Sequence, residues 1–423
     1  MPNISELLTA ARQAQRAWAA TPVTERGAAL RTAAAALRER AGELAKANES
    51  DTGRPEPEAI EGVLAGAGTL EQYAELGPVH RGRTLRGDLS ATDFMVPEPR
   101  GVVVALTPWN DPVAVACGLL GAALVTGNTV VHKPSERVPS TGALLGEILD
   151  DCLPGGVLRT VPGDGLVGAE LAGHHGVDLV AHVGSVRAGR AIALATARTG
   201  AKALLENGGN DPLVVDADVD PAWAAGQAAL GAFANSGQIC VAVERIYVHE
   251  AIAEPFVAAL VVEARSRGLL PLVDNRQRDE VDAHVRDAVA NGARLLVGGE
   301  APAGPQYPAT VLTECTAGMR VMREETFGPV APVRVVRDFD EGMAEAVTGA
   351  YGLAATVLTG SMANAQRAWR ELPVGTVKVN SVFGGAPGGA AEPRGVSGNG
   401  FGYGPELLDE MTRVKVVHLE PAP

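Results

Sequence analysis

The chain is poor in cysteine, in basic residues and in long apolar runs, and each shortage excludes a class of protein. Four cysteines occur in 423 residues without a C-x-x-C pair, which argues against a disulfide framework and a structural zinc site. Lysine and arginine total 36 against 50 aspartate and glutamate residues, so the net charge is -14. Nucleic acid is therefore not an expected partner, because phosphate binding depends on clustered Lys and Arg.

Membrane and secretion signals are also missing from the sequence. No uninterrupted apolar segment reaches the roughly 18 residues of a membrane span, and the N-terminus lacks the basic-then-apolar order of a secretion signal. We therefore expect a cytoplasmic protein without a membrane partner. A content of 46% hydrophobic and 20% charged residues is typical of a globular protein, and the length predicts two or three compact units.

Short apolar segments alternate with helical segments through most of the chain. This alternation indicates parallel βαβ units and hence an α/β fold with a doubly wound sheet. The first unit has predicted strands at 102–106, 129–132, 158–161, 178–183 and 203–206, with helices at 112–125, 140–151, 166–173 and 186–199. A second α/β unit has predicted strands at 245–248, 294–297, 332–336, 354–358 and 376–379. The Gly- and Pro-rich residues 383–405 are predicted to be loop, and 413–419 a strand.

Three polar side chains stand near the ends of predicted strands. Asn110 follows the strand at 102–106, while Lys133 and Glu206 each end a later strand, and the carboxyl edge of a parallel sheet is the usual ligand side. Each has an ordinary alternative, which is a helix cap or turn for the asparagine and a solvated group for the other two. If the glutamate were buried, its pKa would rise and it could act as a general base near neutral pH.

Cys240 lies in the segment NSGQICVAVERIYV, between a predicted helix and a predicted strand. A cysteine is most often a small buried hydrophobe. Ser236 and Gly237 predict a tight turn just before it, which would expose the thiol at the end of an element. A nucleophilic thiol in this place would need an oxyanion donor and a base, and the sequence offers candidates for both.

Other motifs are weak or absent. The string GDGLVG at 163–168 matches the dinucleotide fingerprint in its simplest form, but the acidic residue expected about 20 positions later is missing. No H-E-x-x-H, P-loop or G-x-S-x-G string occurs, and His174 and His175 have no ligand-spaced partners. Metal hydrolysis, phosphoryl transfer and serine esterase chemistry therefore lose support, and no metal site is expected.

Taken together, several segments resemble the signature blocks of one enzyme superfamily. TPWNDP, VVHKPSE, VGS, ENGGNDP, GQIC with ERIYV, EETFGPV, GTVKVN and SGNG occur in this order. The series is similar to that of the NAD(P)-dependent aldehyde dehydrogenases, in their hydrolytic, non-acylating branch, from about Ala11 to the C-terminus. The resemblance implies that an aldehyde is oxidised to a carboxylic acid with NAD, through a thiohemiacetal and then a thioester on a cysteine.

The resemblance also implies a role for each candidate residue. Cys240 would be the nucleophile, Asn110 and the Cys240 backbone N–H would hold the oxyanion, and Glu206 would activate the hydrolytic water. A carboxylate at Glu136 would bind a ribose 2′-OH and repel a 2′-phosphate, so NAD is expected instead of NADP. Cofactor contacts are expected from Trp109, Lys133, Glu136, Ser185, Gly208, Glu325 and Phe327, and substrate contacts from Asp111, Gly118, Ile239 and Val241.

The resemblance further implies a chain of three parts. A doubly wound, Rossmann-like NAD-binding domain would comprise residues 1–79 and 100–208, and an α/β catalytic domain residues 209–404. A small β oligomerisation element would comprise residues 80–99, as a hairpin, and 405–423. Strand addition between subunits would cover the edges of this element, so we expect a homodimer or homotetramer.

The sequence departs from the family pattern mainly on the substrate side. Asp111 replaces a usually apolar residue, Gly118 a bulky one and Leu119 a lysine. The late P-F-G-G-x-K block reads AAEPRG before Ser397. These changes are compatible with a polar or bulky aldehyde, and they argue against a proton relay through the missing lysine.

Two alternative functions stay open at this point. An acylating dehydrogenase or reductase would pass the thioester to CoA or to a carrier thiol, although such relatives generally lack a carboxylate at the position of Glu206. A catalytically silent NAD-binding scaffold would keep the fold without turnover, and the altered substrate side is compatible with that outcome too.

Overall fold

The computed structural model describes residues 3–385 and 388–422, in which helices and short strands alternate. The helices are α1 (Ile4–Ala20), α2 (Val23–Glu39), α3 (Ala41–Thr52), α4 (Glu56–Leu76), α5 (Pro112–Val125), α6 (Pro139–Asp150), α7 (Gly165–Ala172), α8 (Val186–Thr199), α9 (Pro221–Phe233), α10 (Ala253–Arg267), α11 (Asn275–Ala290), α12 (Phe339–Ala346), α13 (Met362–Glu371) and α14 (Glu406–Glu410). The strands are β1 (Arg83–Leu85), β2 (Thr92–Pro99), β3 (Val102–Thr107), β4 (Thr129–Pro134), β5 (Leu158–Thr160), β6 (Leu179–Val183), β7 (Lys202–Glu206), β8 (Asp211–Val215), β9 (Val243–His249), β10 (Leu269–Pro271), β11 (Arg294–Val297), β12 (Gln306–Pro308), β13 (Thr310–Thr313), β14 (Val330–Val336), β15 (Tyr351–Gly352), β16 (Ala354–Leu358), β17 (Thr376–Val379), β18 (Arg394–Gly395), β19 (Gly398–Asn399) and β20 (Thr412–Leu419).

The first large sheet has the strand order β19-β7-β6-β3-β4-β5. Its strands are parallel except for β19, which pairs antiparallel with β7. Strands β3 and β4 are buried along their whole length, as expected for valine-rich strands covered on both faces. Val103 and Ala105 pack in one apolar core with helices α2 to α6, while Val102 and Val104 pack in another with α1, α7 and α8. The sheet is therefore doubly wound.

The second large sheet has the order β11-β13-β14-β9-β8-β16-β17. Its strands are parallel except for β11, which pairs antiparallel with β13. Helices α9 and α10 contribute to the core on one face, and α11, α12 and α13 contribute to the core on the other. The chain thus builds two α/β layers in succession, and each brings the carboxyl ends of its strands to one edge.

A small three-stranded sheet, β1-β2-β20, is separate from both large sheets. Strands β2 and β20 are antiparallel over eight residues, from Thr92 opposite Leu419 to Pro99 opposite Thr412. Val414 and Val416 on β20 are exposed. The predicted hairpin and late strand therefore lie together.

The α/β architecture agrees with the prediction, whereas some elements were missed. The strands predicted for the second unit all occur, but β8 and β13 were not predicted. The Ala-rich residues 25–47, whose apolar spacing predicts a helix, lie in two helices that meet at Arg40, and residues 383–405 contain only the two-residue strands β18 and β19 in their described part. Within the described ranges, no helix has both the length and the apolar character needed to cross a membrane.

The proposed division into three parts remains a prediction, and one contact bears on it. Leu407, Leu408 and Met411 are buried in the core beside α4 and α5, so α14 packs with the first sheet and β20 alone joins the small one. Strand β19 also completes the first sheet from a position late in the chain.

Candidate active site

The loop that carries Cys240 connects α9 to β9 through an unusual backbone. Asn235, Ser236 and Gly237 have φ angles of 45°, 59° and 72°, a region that costs a non-glycine residue about 1–3 kcal/mol. A Cβ at Gly237 would lie 2.2 Å from the carbonyl oxygen of Gly328, so only glycine fits there. Cys240 lies three residues after this turn and is half-buried as a residue, with its thiol in buried surroundings.

Asn110 reaches the same loop from the carboxyl end of β3. Its Nδ2 donates to the Gln238 carbonyl at 3.0 Å, and Asn235 Nδ2 donates to the Asn110 carbonyl at 3.2 Å. Because an amide nitrogen carries two hydrogens, Asn110 can donate a second hydrogen bond beside the cysteine. The loop and β3 are thus joined at the point where an oxyanion donor is needed.

Glu206 ends β7 and is covered by the loop that follows β19. Its Oε1 accepts a hydrogen bond from the Gly402 backbone N–H at 2.9 Å, and a Cβ at Gly402 would lie 2.2 Å from Glu206 Cγ. Burial raises the pKa of Glu206 to about 8, with the Gly402 N–H acting in the opposite direction. A carboxyl group with this pKa can take up and release a proton near neutral pH.

The electrostatic surroundings of Cys240 keep its thiol protonated at rest. Burial raises the pKa of the thiol to about 12, and the carboxylates of Asp211, Glu206 and Glu325 also raise it. The Lys378 ammonium on β17 lowers this pKa, and it donates to a backbone carbonyl in the loop after β17 at 2.8 Å. Sequence patterns do not predict a role for the buried Asp211 or the half-buried Lys378, because a charged residue within a strand gives no local functional signal.

Asp211 lies against the backbone of the cysteine loop. A Cβ at Gly209 would be 2.5 Å from Asp211 Oδ1 and 2.7 Å from the Cys240 carbonyl oxygen. Asp211 Oδ1 accepts a hydrogen bond from the Ala354 N–H at 3.2 Å. The carboxylate therefore occupies a fixed place next to the nucleophile candidate.

The segment with Glu325 and Phe327 forms the wall opposite β7. Glu325 Oε1 accepts from the Gly209 N–H at 3.0 Å, and burial raises its pKa well above the ordinary value. A Cβ at Gly208 would lie 1.9 Å from Glu325 Oε2, so this approach requires glycine. The Glu244 carboxylate accepts the N–H groups of Thr326 and Phe327 at 2.8 and 2.9 Å and thereby holds the segment in place.

Trp109 and Phe327 meet edge to face, with ring centroids 5.4 Å apart. The Arg137 guanidinium lies 5.2 Å from the Trp109 ring centroid and 3.3 Å from Asp274 of the second α/β unit. Two of the expected cofactor contacts are thus brought together in the cleft between the two sheets.

A dinucleotide fits the residues along the carboxyl edge of the first sheet. Lys133 is 6% exposed, and its Nζ lies 3.9 Å from Glu136 Oε2. Glu136 and Gly163 line a cavity of about 320 Å³ beside α6. Ser185 caps α8 by accepting the Ala188 N–H, and a helix N-terminus without acidic residues favours a pyrophosphate. Lys133 and Glu136 lie at the carboxyl end of β4, and Ser185 follows β6, so all three are on the edge where a dinucleotide would be held.

Comparison with known proteins assigns the family. Residues 2–417 match the model of the aldehyde dehydrogenase family. The chain belongs to the aldehyde dehydrogenase family.

Solved structures of aldehyde dehydrogenases support this assignment across the whole chain. A lactaldehyde dehydrogenase is 32% identical, with a TM-score of 0.95 and coverage of 99% of this chain and 91% of its own. A 3,6-anhydro-L-galactose dehydrogenase in complex with NADP is 32% identical, with a TM-score of 0.95 and coverage of 98% and 91%. A betaine aldehyde dehydrogenase from Staphylococcus aureus in complex with NAD+ is 29% identical, with a TM-score of 0.96 and coverage of 99% and 88%. The predicted family and fold are confirmed.

The residues expected to contact the substrate of this aldehyde dehydrogenase include two that depart from the family pattern, Asp111 and Gly118. Asp111 lies 3.3 Å from Arg54, a contact that no sequence pattern predicts. Gly118 is buried, yet no atom lies within 4 Å of a Cβ built on it. Ile239 and Val241 flank the cysteine and are half-buried. The structure therefore brings a charged pair and open space to the same side of the cleft.

Proposed function

We propose that this aldehyde dehydrogenase oxidises an aldehyde to a carboxylic acid with NAD, through a thioester on Cys240. The observation that carries the proposal is the approach of three segments to one cleft. Asn110 is hydrogen-bonded two residues from Cys240, and the Glu206 carboxylate is close enough to raise the pKa of the thiol. A nucleophile, an oxyanion donor and a base are the groups that this chemistry needs.

In the first half of the reaction, the Cys240 sulfur adds to the carbonyl carbon while ionised Glu206 takes up the thiol proton, which it passes to solvent before the second half. The Asn110 amide and the Cys240 backbone N–H would hold the resulting oxyanion, and each preorganised donor of this kind contributes about 3–4 kcal/mol. Lys378 favours the thiolate by its charge. Bound NAD supplies the acceptor for the hydride that leaves the thiohemiacetal, which thereby becomes a thioester.

In the second half, water cleaves the thioester. Glu206 in its ionised form takes a proton from the water, which adds to the thioester carbon, and the sulfur leaves to regenerate Cys240. A pKa of about 8 leaves a usable ionised fraction at neutral pH, and the buried setting makes the carboxylate more basic than an exposed one. A water-activating carboxylate of this kind supports hydrolysis as the fate of the thioester.

The cavity beside α6 is expected to hold the adenosine part of the cofactor, and its acidic lining favours NAD over NADP. Glu136, Glu147 and Asp150 face this cavity, where Arg159 is paired with Asp150 at 3.2 Å. A ribose 2′-OH can donate to a carboxylate, whereas a 2′-phosphate would be repelled. Among the similar structures, one holds NAD+ and another NADP, so initial rates with both cofactors test this part of the proposal.

We also propose a homodimer or homotetramer in the cytoplasm, with β1, β2 and β20 as the oligomerisation element. The exposed Val414 and Val416 on β20 support a role for this sheet in assembly, because exposed strands are usually covered. Sedimentation of the purified protein would measure the assembly.

Two substitutions test the mechanism. Cys240→Ala should abolish NADH formation from aldehydes while NAD binding stays measurable, and the partly exposed Cys152 provides a matched control as Cys152→Ala. Glu206→Gln should give an initial burst of NADH followed by slow release of acid. Full turnover by the Cys240→Ala variant, or unchanged steady-state hydrolysis by Glu206→Gln, would refute the assigned roles.

A further inference from the structure

An ion pair between Arg54 and Asp111 lies beside the proposed oxyanion donor. Asp111 directly follows Asn110 and stands at the start of α5, but its side chain forms no capping hydrogen bond with that helix. Instead, its Oδ1 lies 3.3 Å from Arg54 Nη1. The carboxylate therefore lies next to the guanidinium at the start of α5.

Arg54 belongs to the segment between α3 and α4. This segment contacts a residue that is hydrogen-bonded to the loop carrying Cys240. A Cβ at Gly53 would lie 2.9 Å from Pro271, and Gln238 Nε2 donates to the Pro271 carbonyl at 3.4 Å. Since Asn110 also bonds to Gln238, the segment that carries Arg54 is linked to the proposed oxyanion donor through Pro271 and Gln238.

The Arg54 side chain is only 14% exposed, and its hydrogen-bonding capacity is not fully used. Nε is buried without a hydrogen-bond partner within residues 3–385 and 388–422, while Nη1 is buried and lies in the ion pair with Asp111. Leaving a buried donor without a partner costs free energy, so a small shift of this side chain towards a substrate hydroxyl would remove that cost. The Asp111 side chain is more accessible, with 35% of it exposed.

Small residues make room beside this pair. A Cβ at Gly62 on α4 would lie 2.6 Å from Asp111 Oδ1, so glycine lets the carboxylate lie flat against α4. Asp111, Val115 and Gly118 are spaced by four and three residues and therefore share one face of α5. Gly118 is buried, yet it has open space where its Cβ would be. Since protein interiors are normally filled, this space can hold part of a substrate.

We propose that Arg54 and Asp111 bind a hydroxyl group of the substrate, so that the enzyme prefers neutral hydroxylated aldehydes to unsubstituted or anionic ones. This inference rests on the proposed aldehyde oxidation. A hydroxyl group both accepts and donates a hydrogen bond, and the pair offers N–H donors on Arg54 and an acceptor on Asp111. An alkyl chain at this place would offer no hydrogen bond to either member of the pair.

The opposite charges of Arg54 and Asp111 disfavour the binding of charged aldehydes. Arg54 would attract a carboxylate, but Asp111 would repel it at the same position, and the net charge of -14 disfavours the approach of anions. A quaternary ammonium group would meet the opposite conflict, with Arg54 as the repelling partner. Only an uncharged polar group satisfies both members of the pair.

The test compares aldehydes of equal length. kcat/KM is measured for glyceraldehyde and propanal, and for 4-oxobutanoate and butanal, each referred to the concentration of free carbonyl form. We expect glyceraldehyde to exceed propanal by about tenfold or more, because sites built for a hydroxyl reject the analogue that lacks it. The double variant Arg54→Met/Asp111→Leu should bring this ratio close to one. The exposed pair Arg38 and Glu71 supplies the control Arg38→Met/Glu71→Leu, in which the ratio should persist.

Binding provides a second measurement that does not depend on turnover. With the Cys240→Ala variant and NAD present, calorimetry should show the same order of Kd values, and the Arg54→Met/Asp111→Leu changes should remove it. A glyceraldehyde-to-propanal ratio near one in the wild type, a ratio that survives in the double variant, or a tenfold preference for 4-oxobutanoate would overturn the proposal. If no aldehyde is oxidised, the proposed function fails, while the Kd values still decide whether the pair recognises hydroxyl groups.

Discussion

Replacing Glu206 by glutamine should stabilise the fold, and the gain should grow as the pH rises. Burial raises the pKa of Glu206 to about 8 from its ordinary value of 4.5. The folded state therefore binds the proton more tightly than the unfolded state, and stability is lost as the pH rises from the unfolded pKa through the folded one. Glutamine has nearly the same shape, can accept the Gly402 N–H, and never ionises, so it avoids this loss.

The size of the effect follows from the two pKa values. Within the window between them, each pH unit costs about 1.4 kcal/mol of unfolding free energy. The variant should therefore exceed the wild type by about 1 kcal/mol at pH 5 and about 3 kcal/mol at pH 7, levelling at about 5 kcal/mol above pH 8. This gain in stability would accompany the loss of thioester hydrolysis, a common trade-off at active sites.

Urea denaturation of both proteins at pH 5, 7 and 9 measures the difference. The exposed Glu49→Gln on α3 serves as a control for the replacement of a glutamate by glutamine. If the Glu206→Gln difference were independent of pH, or became smaller as the pH rises, the carboxyl would not be a buried group of raised pKa. The assignment of Glu206 as a base tuned by burial would then be wrong.

Three further predictions concern the rate and the cysteine loop. Because only ionised Glu206 activates water, the hydrolysis step should speed up about tenfold between pH 7 and pH 9, and single-turnover acid release measures this. Lys378→Met should raise the pKa of Cys240 and slow its alkylation by iodoacetamide several-fold at fixed pH, whereas Lys378→Arg should restore most of the rate. Gly237→Ala should lower the free energy of unfolding by about 1–3 kcal/mol and reduce turnover, because φ is 72° and the new Cβ would clash with a carbonyl oxygen. Gly42→Ala, in an open helical position, should lower neither stability nor turnover. Equal effects of the two substitutions would contradict the strain argument.

The local sequence pattern predicts the strands of the first sheet because burial on both faces leaves runs of valine. Val102 to Leu106 and the strand after it are examples. Strand β8 was not predicted because it begins with Asp211 and Pro212, and proline is rare inside central strands. The structure accommodates Pro212 at a register shift between β8 and β9, and no local sequence pattern predicts this shift.

The site is only partly predictable for a related reason. Asn110, Glu206 and Cys240 stand at element ends, where the sequence marks them by turns and strand boundaries. Arg54 and Lys378 have no comparable signal in the sequence, because the residues around them come from distant segments of the chain. The pairing of Arg54 with Asp111 joins residues 57 positions apart, and only the packing of α4 against α5 brings them together.

The completion of the first α/β unit by late residues has a consequence for synthesis. Strand β19 and the side chains of Leu407 and Met411 fill places beside elements made some two hundred residues or more earlier. The apolar surface that these late residues cover therefore stays exposed during synthesis until translation has passed residue 411. During this stage, association with other chains competes with folding. Purified fragments ending near residue 395 should accordingly bind general chaperones more strongly than fragments extended to residue 420.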